Sequence, residues 1–287
     1  MGVLLDLGYL VAAVLTLPWF IYRITARGDG RSMLLRFGVG LPPPAAGSIW
    51  LHGSSAGEIA LLHGLVRRLE TDFPETPLVI TAYSSTGFSA ARKAYPEHRV
   101  LFFPADFSFV VRRFLRRFDP RLVVIVESDF WPNFLLATQN RKIPVAVLNG
   151  KMSNKSYRIH ARTRLVPKLL RSLPVLAVQN EEYASRLLKL GVSPQRVNVT
   201  GDMKYDLTDP AGRTETSRDL RASLGFSLGD VVIIGGSLHD RENEVLIESY
   251  QELIANHANV SLIIVPRYPT DVSRIEEVLE ERALNSV

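Results

Sequence analysis

The stretch Ser48–Leu65, SIWLHGSSAGEIALLHGL, decides the fold. Ile49, Trp50 and Leu51 make a short apolar run of the kind a buried strand carries. His52-Gly53-Ser54-Ser55-Ala56-Gly57 follows, all small or polar. Ile59, Leu61, Leu62 and Leu65 then recur at helical spacing. The order is strand, small-residue turn, helix. In an open parallel sheet the ligand crevice lies at such a junction, beyond the carboxyl end of the strand. The glycines, Gly57 among them, let backbone and ligand approach closely. The free N–H groups of the new helix favour an anion there. Glu58 falls in the helix's first turn, and two readings of it stay open. One is a cap that complements the helix dipole. The other is a carboxylate aimed into the crevice as a general base. The turn has neither GxGxxG nor GKS/T, which argues against a dinucleotide fingerprint or a Walker loop.

Outward from this stretch, strand and helix signals alternate. Leu78–Thr81 predicts a second strand, Val100–Phe103 a third, Leu122–Val126 a fourth and Val145–Leu148 a fifth. Val175–Val178 predicts a sixth and Val197–Thr200 a seventh. Ser84-Ser85-Thr86-Gly87 opens a helix after the second. Repeated units of this kind imply a parallel sheet with helices on both faces. Leu207–Asp230 is polar and turn-rich. A new strand starts at Val231 and ends in Gly235-Gly236-Ser237-Leu238-His239, with a helix over about Glu242–His257. Leu262–Val265 is another strand, closed by Pro266-Arg267, and a last helix begins near Asp271. The expectation is a Rossmann-like α/β domain over 48–206, a linker over 207–229 and a partial second α/β domain over 230–287. Two strands and two helices make a poor core by themselves.

Val3–Ile24 is almost wholly apolar, with one early acid, Asp6. Its length suits a bilayer span. Pro18, Trp19, Phe20 and Tyr22 suit a membrane interface, and Arg23, Arg27, Arg31 and Arg36 follow at once. The expectation is an uncleaved membrane anchor helix over 1–26 with everything downstream in the cytoplasm. A linker over 27–47 follows, stiffened by Leu41-Pro42-Pro43-Pro44-Ala45. A helix buried in the globular part is the other reading of the apolar run. The predicted helix Phe107–Phe118 puts Val110, Val111, Phe114, Leu115 and Phe118 on one face and Arg112, Arg113, Arg116 and Arg117 on the other. That basic face suits either solvent or an anionic lipid surface.

Glu127 ends the apolar run of the fourth strand, so it is partly buried and needs a partner. Asp129 stands two residues on, where it can cap the helix that Pro132 begins or serve a site. Asn149-Gly150-Lys151 ends the fifth strand in the same way, and Lys151 suits either Glu127 or an anionic ligand. His52 and His239 each end a strand. No histidine pair has metal-ligand spacing. The net charge is +5 and there is no cysteine, which excludes a disulfide framework and a thiolate metal site. No nucleic-acid-binding module stands out.

Taken in order, these signposts resemble the 3-deoxy-D-manno-octulosonic acid (Kdo) transferases of lipopolysaccharide biosynthesis. They are His52…Ser55-Ala56-Gly57-Glu58, Thr86-Gly87, Pro104-x-Asp106, Glu127-x-Asp129-Phe130-Trp131-Pro132-Asn133, Asn149 with Ser153, Thr200-Gly201 with Lys204 and Asp206, Ser237-x-His239 and Pro266-Arg267. The resemblance implies a two-domain GT-B fold with the acceptor on the N-terminal domain. It implies CMP-Kdo as donor and a lipid A precursor (lipid IVA) as acceptor, at the cytoplasmic face of the inner membrane, with no metal and no cofactor. It gives Glu58 the role of general base and Glu127 that of a second essential acid. Substrate contacts are implied for His52, Ser55, Gly57, Thr86, Asp129, Asn149, Lys151, Lys204, Ser237, His239 and Arg267. Lys151 stands where the family usually has arginine, so anion contact there is by a point charge rather than a fork. The family's donor domain is longer than 230–287. That leaves a second reading, a chain that binds a lipid A precursor or a partner without catalysis.

Overall fold

The alternating runs close into one seven-stranded, all-parallel sheet. Its strands are β1 (Ile49–His52), β2 (Leu78–Ala82), β3 (Arg99–Phe102), β4 (Leu122–Val126), β5 (Val145–Gly150), β6 (Val175–Val178) and β7 (Val197–Val199). They lie in the order β3-β2-β1-β4-β5-β6-β7. All seven expected strands are present, within one or two residues at each end. The computed structural model describes residues 2–15, 30–207, 220–227, 229–257, 259–284 and 286. The chain divides into two units, Met1–Thr208 and Asp209–Val287.

Sequence order reverses in space between β1 and β4, and the strands there are buried on both faces. This is the topological switch point, where the crevice of a doubly wound sheet opens. Trp50, at the centre of β1, is fully buried. Its ring lies 5.2 Å from that of Phe134, 5.9 Å from Phe118 and 6.3 Å from both Phe103 and Phe114. Its indole Nε1 donates to Thr81 Oγ1 on β2 at 2.8 Å, so the polar edge of the ring is satisfied too. The helix Ser108–Phe118 buries the predicted face and leaves Arg112, Arg113 and Arg116 exposed, with Phe107 as its N-cap rather than its first residue. Arg117 donates to the Pro42 carbonyl at 2.8 Å.

The described part of the N-terminal region is tied to the first unit by contacts its hydropathy does not announce. The stretch 27–47 is not a bare connector over its described part. Gly30–Arg36 is helical, Ala45 is buried, and Phe37 and Leu41 pack on the main core. These apolar side chains, together with the backbone bond Ala45 N to Arg117 O, tie the stretch to the first unit. The helix Gly2–Leu15 is also attached to that unit, through polar contacts that hydropathy does not reveal. Asp6 accepts from Ser108 N (2.8 Å), Ser108 Oγ (2.5 Å) and Asn133 Nδ2 (2.9 Å). Tyr9 Oη donates to Asp106 Oδ2 at 2.8 Å, and Asp106 also accepts from the backbone N–H groups of Asn133 and Phe134. Burial pushes the Asp106 carboxyl up to about 6, against the pull of these hydrogen bonds. Val3, Leu7, Leu10 and Val11, at helical spacing, stay exposed. No helix among the described residues is long and apolar enough to cross a membrane. Pro18, Trp19, Phe20, Tyr22, Arg23 and Arg27, on which the interface reading rests, lie outside the described residues.

The second unit holds a parallel pair, β8 (Val231–Leu238) and β9 (Val260–Pro266), with helices Asp240–Ile254 and Val272–Glu281. Both strands and both helices match the expected elements. Ile247 and Ile275 are the buried hydrophobic side chains among its described residues.

Candidate functional site

The site of the first unit is built at the carboxyl ends of β1, β4 and β5. After His52 the chain turns through Gly53–Ser55, and Ser55 caps the helix Ala56–Asp72 by accepting from Glu58 N. The Glu58 carboxylate folds back over the turn. Its Oε2 accepts from Ser54 N at 2.8 Å and its Oε1 from the Ser55 hydroxyl at 2.9 Å. Glu58 thus braces the turn, as the capping reading expects, at the carboxyl end of β1. Burial raises its carboxyl above the ordinary glutamate range; the Ser54 and Ser55 bonds pull it down, and Asp129 and Glu127 push it up.

Across the switch point, Glu127 adopts φ +68°, a left-handed conformation rare for a side chain of this size. Asn149, at the end of the adjacent strand, does the same at φ +54°. Backbone held in this region clusters at functional sites in proteins, and two such residues stand here at neighbouring strand ends. Lys151 Nζ lies 2.5 Å from Glu127 Oε1, so the partner that Glu127 required is the lysine the sequence singled out. Asn149 is buried, and its Oδ1 accepts from Met203 N at 3.0 Å. This bond sets the turn Met203–Leu207, with the exposed Lys204, at the same edge of the sheet.

Asp129 accepts from the Ser54 hydroxyl, and its Oδ2 lies 3.3 Å from His52 Nε2. Burial alone would raise the Asp129 carboxyl, but His52 and Ser54 outweigh it and hold it below the usual aspartate range. His52, expected to touch substrate, is instead fully buried, with its ring 4.0 Å from that of Phe103. Thr86 and Gly57 are exposed beside the turn. A Cβ at Gly57 would make only an ordinary contact with Ser55 Oγ at 3.8 Å, whereas at Gly87 it would meet Ser54 O at 2.9 Å. Trp131 stacks on Tyr83 at 5.0 Å and lines the region with aromatic rings. Ser237, His239 and Arg267 lie together in the second unit, where Arg267 Nη1 is 3.5 Å from Ser237 Oγ and His239 N donates to Glu242 Oε2 at 2.9 Å. Sequence reasoning missed Ser54 and Thr81 as parts of the site, whereas Gly87 stands in the signpost Thr86-Gly87. Ser54 had a visible signal, a second hydroxyl beside the capping serine. Thr81, on another strand, had none.

A parallel sheet ordered around this switch point, with acids at the ends of the two strands that flank it, defines a Rossmann-like α/β protein. Its solved structural neighbours are GT-B-like. They include a UDP-GlcNAc 2-epimerase from Neisseria meningitidis (TM-score 0.59, 16% identity, 83% of this chain and 70% of that one). A glycosyltransferase from Rickettsia africae is another (TM-score 0.54, 12% identity, 83% and 66%). At such identities the likeness establishes the fold alone. The family comes from sequence: the model of the 3-deoxy-D-manno-octulosonic-acid transferase (kdotransferase) family matches residues 31–207, more than half of the chain, and the chain belongs to that family. Curated relatives include a 3-deoxy-D-manno-octulosonic acid transferase of Haemophilus influenzae, 26% identical over 242 residues, covering 84% of this chain and 56% of the relative. The protein of that name from Chlamydia trachomatis serovar D is 29% identical over 288 residues, covering 98% and 66%. The chain thus spans 56% and 66% of the length of these two relatives.

Proposed function

We propose that this chain transfers Kdo from CMP-Kdo to a hydroxyl of a lipid A precursor such as lipid IVA. The observation that carries the reading is the placement of Glu58 and Glu127 at the ends of β1 and β4, on either side of the switch point. Glu58 takes the proton of the acceptor hydroxyl. The oxygen then forms a bond to the anomeric carbon of Kdo as the bond to the phosphate breaks, and CMP leaves with the electron pair. A base of this kind works best with its proton affinity raised toward the working pH, as burial raises that of Glu58. Glu127 fixes Lys151 at the crevice edge, where the ammonium meets an anionic group of a substrate. Thr86, Lys204 and, in the second unit, Ser237, His239 and Arg267 are proposed as further substrate contacts.

The acceptor is a lipid, and the molecule has surfaces suited to a membrane. Val3, Leu7, Leu10 and Val11 form an exposed apolar stripe, and Arg112, Arg113 and Arg116 an exposed basic face. Attachment to the cytoplasmic face of the inner membrane is part of the proposal, each arginine near anionic lipid adding about 1 kcal/mol. The reading is tested by calorimetric titration of the full chain in detergent with a lipid A precursor and, separately, with CMP-Kdo. Saturable heat from both is expected, and Lys151→Ala is expected to weaken at least one about tenfold, a loss of about 1.4 kcal/mol. Absence of saturable binding of either ligand contradicts it.

A further inference from the structure

We propose that Ser54, Asp129 and His52 are positioning residues: a chain of polar contacts running from the buried core holds the Glu58 carboxylate in place. The proposal deepens the reading of Glu58 as the base and rests on it for its functional meaning. A glutamate that only capped its helix would need Ser55 and nothing more. Here the carboxylate is also held by Ser54 N, and Ser54 is fixed on three sides. Its carbonyl accepts from Tyr83 N at 3.2 Å and Ser84 N at 2.8 Å. Gly87 packs against that carbonyl so closely that no side chain fits between them. Its hydroxyl donates to Asp129 Oδ2, the same oxygen that faces His52 Nε2.

The chain continues inward. His52 Nδ1 lies 3.0 Å from Thr81 Oγ1 and 3.1 Å from the Thr81 carbonyl. Trp50 Nε1 donates to Thr81 Oγ1, whose own hydroxyl points to the Leu51 carbonyl at 3.4 Å. The links run from the Trp50 indole to Thr81, His52, Asp129, Ser54 and then Glu58. The groups meet from β1, β2, the turn after β1 and the segment after β4, with Ser54 and Asp129 75 residues apart in sequence. His52 is fully buried against Phe103, so its place in this chain is fixed by packing. The outer end alone reaches the crevice. A base held this way meets the acceptor hydroxyl with little motion left to lose, and such orientation is worth large factors in rate.

The test is a carboxyl-carbon NMR titration of the full chain, with the Glu58 resonance identified by its loss in Glu58→Gln. In Ser54→Ala no charge changes, but the turn loses its tie to Asp129 and the Ser54 N–H loosens from the carboxylate. Glu58 is then expected to titrate about one pH unit higher, because a bond that favours its ionised form weakens. His52→Leu is expected to move it the same way, while His52→Gln, whose amide N–H still reaches toward Asp129, leaves it in place. A Glu58 midpoint in Ser54→Ala that equals the parent's, or falls below it, overturns the proposal. If Ser54→Ala does not fold, the two His52 variants decide: equal midpoints in Leu and Gln overturn it. The titration reads the carboxylate and not transfer, so it answers even if Glu58 proves not to be the base.

Discussion

Replacing Glu58 with glutamine is expected to cut Kdo transfer about 10²–10⁴-fold, the range a positioned general base contributes. The fold is expected to survive, because a glutamine oxygen can still accept from Ser54 N or Ser55 Oγ and so keep the brace on the turn. The transfer rate and the thermal unfolding curve, measured on the same preparation, separate these effects. The pH profile adds a sign. A base must be ionised to act, so the rate falls as pH drops through the Glu58 value. Burial holds that value above the ordinary glutamate range, so the acid limb is expected above the position of an ordinary glutamate. A Glu58→Gln protein that transfers at the parent rate contradicts the assignment.

Trp50→Ala is expected to destabilise the first unit by about 3–5 kcal/mol, the usual cost of emptying a fully buried aromatic site. The ring touches aromatic side chains from three other segments: Phe103, Phe114 with Phe118, and Phe134. Those segments cannot all collapse into the space it leaves. In denaturant unfolding followed by circular dichroism, the midpoint should fall with little change in slope. A loss under about 1 kcal/mol would mean that the core at β1 relaxes as exposed sites do. Trp50→Phe keeps the packing and removes the N–H to Thr81. Comparing the two variants divides the effect between volume and the bond to Thr81.

The sheet was legible because each strand is a short apolar run bounded by turn residues, and parallel strands buried on both faces read that way. Leu122–Val126 and Val175–Val178 match to the residue. The helix Ser108–Phe118 was legible from its periodicity, and the need of Glu127 for a cation was legible from its place at the end of an apolar strand. What the sequence hid is tertiary pairing. Nothing near His52 announces Thr81 or Asp129, and nothing near Asn149 announces Met203. The helix Gly2–Leu15 reads as almost wholly apolar, yet Asp6 and Tyr9 sit three residues apart, on one face, and take up partners around Asp106, Ser108 and Asn133. A hydropathy average dilutes two polar side chains among a dozen apolar ones. Their effect depends on partners about a hundred residues on. The proline-rich stretch Leu41–Ala45 misled for a related reason: its stiffness is real, but stiffness says nothing about what packs beneath Leu41 and Ala45.

The measurement that bears most directly on the whole account is transfer of labelled Kdo from CMP-Kdo to a lipid A precursor by the full 287-residue chain in detergent. The account expects a labelled lipid product that depends on both substrates. Saturable binding of both substrates with no product would contradict it.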